Sequence, residues 1–273
     1  MAQNPDSAGA AMSYTTLRFT RTGAVARITL ARPDAANALN FAMGTELLDV
    51  AQRCRDDQSV RAVILDADGK VFCAGGDIVT FAGAGARLPT ALNELIDIFH
   101  PAVAILSTMN APVIAAVQGV AAGAGLSLLS SCSLVIASAA ASFTMAYTGI
   151  GLTPDGGATY FLPRQIGLRK AEELMITNRR LSPAEAMDWG LVNEVVAPEA
   201  LAARVDALAD QLATGATAAY GAARRMLLAS SCNDMTRQLA LEQETMVAAG
   251  GSRDGLAGVA AFKAKTKPAF IGE

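Results

Sequence analysis

Histidine is almost missing from this chain: His100 is the only one, and charged residues account for just 17% of the sequence. A lone histidine leaves no cluster to hold a metal. The four cysteines, Cys54, Cys73, Cys132 and Cys232, are too scattered for a paired-cysteine zinc site or a disulfide framework. No metal is expected, and scattered thiols fit a reducing, cytoplasmic compartment. Aromatic residues are 5% of the chain and net charge is −3 with no basic block, so a nucleic-acid partner is not expected. No apolar run reaches the roughly 18 residues that a membrane helix needs. Residues 1–13 lack a basic start and a continuous apolar segment, and read as a disordered tail rather than a signal peptide.

What is plentiful is apolar: 52% of 273 residues, enough to bury a substantial core in one domain with a helical tail. Ala26, Ile28 and Leu30 alternate with Arg27 and Thr29, which predicts a half-buried strand pairing with Leu17 to Thr20 across Thr22-Gly23. Met43, Leu47, Val50, Ala51 and Cys54 fall at helical spacing from about Phe41. Further buried strands are predicted at Ala62 to Leu65, Val113 to Val117, Leu134 to Ala137, Phe143 to Met145 and Val192 to Val196, with a helix from Pro89 to Met109. Ser182-Pro183-Ala184-Glu185 is a capping box opening a helix that closes at Gly190. From Glu199 the sequence is alanine-rich and helical. The expected class is α/β, with a core over 14–198 and a helical region over 199–273.

Two stretches stand out: Val71 to Ile78, VFCAGGDI, and Ala115 to Leu134, AAVQGVAAGAGLSLLSSCSL. Each is a buried strand entering a glycine turn and then a helix, so each presents backbone N–H groups at a helix start. Two such turns can aim two amides at one oxygen, as an oxyanion hole does. Gly123 and Gly125 also begin a dinucleotide-like pattern, but Leu128 stands where its third glycine belongs.

With APVIAAVQGVAAGAGLSL, AYTGIGLTPDGG, ELMITNRRLSPAEAMDWGLVNEVV and the terminal AFKAKTKPAF, these stretches resemble the crotonase (enoyl-CoA hydratase/isomerase) superfamily over about residues 15–271. The resemblance implies a spiral of ββα units, a C-terminal helical region for oligomerisation, a homotrimer or dimer of trimers, and an acyl-CoA thioester as substrate. Coenzyme A enters only as part of that substrate, and no separate cofactor is implied. By position, the oxyanion donors would be the amides of Ala74 and Ala124, the latter replacing a frequent glycine. Ala38, Leu39, Ala74 and Ile78 would lie along the CoA arm, and Phe262 and Lys265 would reach CoA of the same or a neighbouring subunit.

Family hydratases use two glutamates, but the matching positions are Ser127 and Tyr147, neither a carboxylate. Asp155 matches the single aspartate of isomerase-like branches, including those similar to phenylacetyl-CoA-type isomerases. One carboxylate suffices to move a proton between two carbons of one substrate. Isomerisation is therefore the expected reaction, with hydration as the alternative, Tyr147 then helping to handle water. Residues Gly149 to Val196 also resemble 4-chlorobenzoyl-CoA dehalogenases, whose aspartate and histidine match Asp155 and His100, although Tyr147 stands at their tryptophan. A serine-hydrolase triad of Ser127, His100 and Asp155 lacks the G-x-S-x-G elbow. A non-catalytic CoA-binding homologue would bind thioesters unchanged. Asp77 reads as a helix N-cap, and Phe81 to Thr90 as a mobile loop, with Ala82 to Ala86 as a lid over the acyl end.

Overall fold

In the computed structural model, which describes residues 14–273, the expected tail at residues 1–13 lies outside the described residues. Nine strands form: β1 (Leu17–Thr22), β2 (Val25–Leu30), β3 (Ala62–Ala67), β4 (Val71–Cys73), β5 (Val113–Val117), β6 (Val120–Ala122), β7 (Leu134–Ser138), β8 (Ser142–Thr144) and β9 (Glu194–Val196). They make a six-stranded sheet ordered β1-β2-β3-β5-β7-β9 and a three-stranded sheet ordered β4-β6-β8. Among the strands of the described residues β1 and β2 pair antiparallel, in the expected hairpin, and the other strand pairs are parallel; an isolated antiparallel bridge joins Phe143 to Leu181.

The helices are α1 (Phe41–Asp56), α2 (Ile78–Ala84), α3 (Leu88–Thr108), α4 (Ala124–Ser130), α5 (Ala158–Ile166), α6 (Leu168–Thr177), α7 (Pro183–Trp189), α8 (Leu201–Ala213), α9 (Thr217–Ser230), α10 (Met235–Gly251) and α11 (Arg253–Ala264). The chain repeatedly places one strand in the larger sheet, the next in the smaller, and then turns into a helix: β3-β4-α2, then β5-β6-α4. This is the expected ββα spiral. It stacks the ends of β4 and β6 side by side, together with the turns that follow them.

The core occupies both faces of the larger sheet. Ile28, Val63, Leu65, Val113 and Ala115 face α1, α3 and α4 in one cluster. Ile64, Ile114 and Ile136 face the other way, against Leu201, Val205, Ala209 and Ala213 of α8. Those four residues recur every fourth position, a single stripe of one helix. Burying Leu201 and Val205 is worth about 1.5–3 kcal/mol each, which fastens the start of the C-terminal region onto the sheet.

Three features depart from the sequence reading. The segment Phe81 to Thr90, expected as a loop, is helical: α2, capped as expected by Asp77 accepting from the Thr80 amide at 3.2 Å, runs to Ala84, a 3-10 turn spans Gly85–Arg87, and Pro89 sits in the first turn of α3. Its helix α2 buries none of its side chains. Helices α5 and α6 fill a segment to which the sequence reading assigns no element; Pro163 lies inside α5 and Gly167 separates the two. Strand β9 starts at Glu194 rather than Val192, since the Leu191 and Val192 amides donate back to the Ala186 carbonyl as α7 ends.

Candidate active site

The two glycine turns meet. A side chain added at Gly75, whose φ is +107°, would come within 3.5 Å of the Ala124 nitrogen and 3.2 Å of the Ala122 carbonyl oxygen. Only glycine fits both that angle and that approach. Ala124 opens α4, whose first internal bond runs from the Ser127 amide to the Gly123 carbonyl at 3.0 Å. The Ala124 amide thus precedes the helical ladder and has no acceptor among the described residues.

The partner donor is not Ala74. Its amide donates to the Ala36 carbonyl at 3.0 Å and is occupied. Pairing with residues 36–39 continues: Leu39 donates to Gly75 at 2.7 Å and Asp77 donates to Leu39 at 2.9 Å, with Leu39 and Gly76 in a parallel bridge. In such a bridge the flanking groups face the neighbouring strand and the central residue's own N–H faces away. The Gly76 amide accordingly has no acceptor among the described residues, and Gly76 and Ala124 both line one cavity of about 250 Å³. Sequence reasoning missed Gly76 because the choice between positions 74 and 76 is made by a segment about 37 residues earlier.

Asp155 and Tyr147 line the same cavity. The Tyr147 hydroxyl donates to Oδ1 of Asp155 at 2.5 Å and lies 3.0 Å from the Ser127 hydroxyl. A phenol has one proton, and Asp155 accepts it, so a hydrogen bond across the Ser127–Tyr147 contact can run only from Ser127, whose hydroxyl also reaches the Gly123 carbonyl at 3.3 Å. Tyr147 is thereby held between Ser127 and Asp155 with its own proton directed at the carboxylate. Burial first, and then the charge of Asp155, push the Tyr147 phenol well above its ordinary range, which keeps it a donor. The other carboxylate oxygen makes no hydrogen bond among the described residues.

His100 approaches Asp155 from outside the cavity, with Nε2 at 3.6 Å from Oδ2. That nitrogen accepts the Gly156 amide at 3.0 Å, so the ring proton sits on Nδ1 and is not offered to the carboxylate. Ser127 bonds Tyr147 and not His100, so the triad reading has no geometry behind it. Gly156 fixes this corner: its φ is +58°, and a side chain there would meet the Phe99 ring at 2.6 Å and Ser127 at 3.0 Å.

The remaining named residues divide. Leu39 and Ile78 line the cavity, and the Ala38 carbonyl accepts from the Arg32 guanidinium. Asp77 is a cap, and it also accepts from Arg32 at 3.0 Å. Burial opposes its charge, but the Thr80 amide and Arg32 together hold its carboxyl below the usual range. Phe262, on α11, and Lys265, at the end of that helix, are not in the cavity wall within one chain, and Phe262 is 88% exposed. A larger groove of about 730 Å³ beneath α9 carries no carboxylate. Its Arg224 is engaged by the carbonyls of Leu106 and Ser131, at the ends of α3 and α4.

A family model described as enoyl-CoA hydratase/isomerase matches residues 20–273. The chain is 38% identical to a "probable enoyl-CoA hydratase" of Rhodobacter capsulatus, with 96% of this chain and 100% of that protein covered. It is 36% identical to a 1,2-epoxyphenylacetyl-CoA isomerase of Escherichia coli, over 91% of this chain and 95% of that one. A crystal structure of an enoyl-CoA hydratase/isomerase from Cupriavidus metallidurans superposes with a TM-score of 0.88 at 33% identity, covering 95% of this chain and 97% of that one.

Proposed function

The chain belongs to the enoyl-CoA hydratase/isomerase family, and we propose that within it this protein is an isomerase, moving the double bond of a 3-enoyl-CoA thioester with Asp155 as sole acid and base. One observation carries this reading. The cavity that contains the two unpaired amides is lined by one carboxylate, Asp155. By the family resemblance, Ser127 and Tyr147 stand where hydratases carry their glutamates.

The chemistry follows from charge. Asp155 takes a proton from the carbon beside the thioester, its C–H electrons pass into the adjacent π system, and a dienolate forms with negative charge on the thioester oxygen. The amides of Gly76 and Ala124 hold that oxygen, each worth about 3–4 kcal/mol to the transition state. Protonated Asp155 then returns the same proton to the γ-carbon, and the double bond lies next to the thioester. Tyr147 fixes Oδ1 throughout, which leaves Oδ2 as the oxygen that exchanges the proton. Nothing else need enter or leave.

Conjugation raises ultraviolet absorbance, so a 3-enoyl-CoA solution with the protein added is the test, with Asp155→Asn as control. A rise abolished by the variant supports the assignment, and full turnover by the variant overturns it. Hydration of a 2-enoyl thioester is the second reading. It is favoured by the exposure of the His100 side chain, 46%, beside Oδ2, which gives water a way to the carboxylate from outside the cavity.

In this reading the CoA arm would run along Ala38, Leu39, Ala74 and Ile78, and a homotrimer or dimer of trimers is proposed. Helix α10 buries none of its residues within one chain, and Leu239, Met246, Leu256, Val259 and Phe262 are exposed on α10 and α11. Covering that surface with second copies would remove a large apolar patch from water. It would also allow Phe262 and Lys265 to reach a neighbour's CoA.

A further inference from the structure

The cavity is chemically lopsided. Its hydrogen-bonding groups are few: the free Gly76 and Ala124 amides, and Asp155 with Tyr147, whose proton is already given to that carboxylate. From α2 along α3 the wall is hydrocarbon: Phe81, Leu92, Leu95, Ile96 and Phe99. Leu95 and Phe99 are 7% and 1% exposed and form a fixed floor, Leu95 lying against α1 at Gly44 and Phe99 under Gly156. Phe81, Leu92 and Ile96 are half-buried and form the side that can yield. Thr153 also borders the cavity, but it is exposed at the mouth.

Resting on the acyl-CoA reading above, we infer that this wall selects an uncharged acyl group with no hydrogen-bonding substituent beyond the reacting carbons. A hydroxyl or carboxylate buried against it would lose its water and find no partner, a penalty of about tenfold or more in affinity. An added methylene gains about fourfold until the space is filled. The volume of about 250 Å³, part of which the thioester and the reacting carbons occupy, exceeds the ~150 Å³ that holds benzene, so a six-membered ring or a chain of similar bulk fits. The shared property is an apolar body.

The test is calorimetric binding of saturated acyl-CoA thioesters, which lack the double bond and so report the pocket independently of isomerisation. Butanoyl-, hexanoyl-, octanoyl- and phenylacetyl-CoA are compared with 8-hydroxyoctanoyl- and 4-carboxyphenylacetyl-CoA. Affinity is expected to climb with apolar size, and each polar ligand to bind about tenfold or more weakly than its apolar parent. Ile96→Gln, on the yielding side, is expected to narrow the gap between 8-hydroxyoctanoyl- and octanoyl-CoA. A rise for phenylacetyl alone identifies an aryl substrate, and a rise along the alkyl series a chain. Equal affinities for polar and apolar ligands, or neither octanoyl nor phenylacetyl tighter than butanoyl, overturn the inference. A flat absorbance trace with 3-enoyl-CoA beside an intact binding series would instead remove only the isomerase reading.

Discussion

The Tyr147 hydroxyl donates to Oδ1 of Asp155 at 2.5 Å, so one aromatic residue fixes which face of the carboxylate is free. Tyr147→Phe removes that donor while keeping the ring. The expected outcome is a kcat about 10- to 100-fold lower with KM little changed, because orientation of the base is lost and the acyl wall is not. Asp155→Asn is expected to lower kcat further, by about 100- to 10,000-fold. Steady-state kinetics of both variants check the order; a Phe variant as inactive as the Asn variant would mean that Tyr147 does more than hold the base.

Ala124 is the first residue of α4, a position where proline is tolerated because its N–H has no partner in the helix. Ala124→Pro therefore deletes a proposed oxyanion donor with little effect on folding. A kcat loss of about 100- to 1,000-fold is expected, with the thermal midpoint nearly unchanged. Wild-type rates in this variant would rule out the Ala124 amide as a donor.

Gly156→Ala is expected to be damaging twice over. Its left-handed φ of +58° and the Phe99 ring at 2.6 Å make a methyl group both strained and crowded. A destabilisation of about 1–3 kcal/mol is expected from the backbone alone. Displacement of Asp155 from Tyr147 should lower kcat as well. Chemical denaturation and kinetics on the same sample separate the two effects.

Cys54, Cys73 and Cys132 are buried, and burial pushes their thiols up to about 12, 11 and 12 respectively. A raised value favours the neutral thiol, so at pH 8 they hold even less reactive thiolate than free cysteine. Cys232 is exposed. A chromogenic disulfide reagent is expected to titrate one thiol in the native protein and four after unfolding, with the fast site lost in Cys232→Ser.

The exposed apolar faces of α10 and α11 give a last prediction. Leu239→Asp combined with Val259→Asp places two charges within the proposed subunit contact, at positions 56% and 72% exposed in one chain. Sedimentation should show a smaller species with unchanged helix content. An unaltered sedimentation coefficient would exclude these faces from the interface.

Local chemistry made much of this fold readable in advance. The hairpin around Gly23, the stripe on α1 and the box at Ser182 and Glu185 each depend on residues near one another in the chain. The turns at 74–76 and 123–125 were legible for the same reason. Which amide is free was not legible, because Ala36 takes the Ala74 N–H and the register with Leu39 turns Gly76 outward. The role of His100 was likewise hidden: its Nε2 is settled by the Gly156 amide, 56 residues away, a contact that no spacing rule contains.

The two free amides have separate anchors, Gly76 on the segment 36–39 and Ala124 on the start of α4. The gap between them belongs to no single element, so it tolerates less disturbance than any helix does. A slight loosening of the amino-terminal layer in mild denaturant would part the donors while α8 to α11 stay wound. The enzyme would then fall silent while circular dichroism still recorded a folded chain.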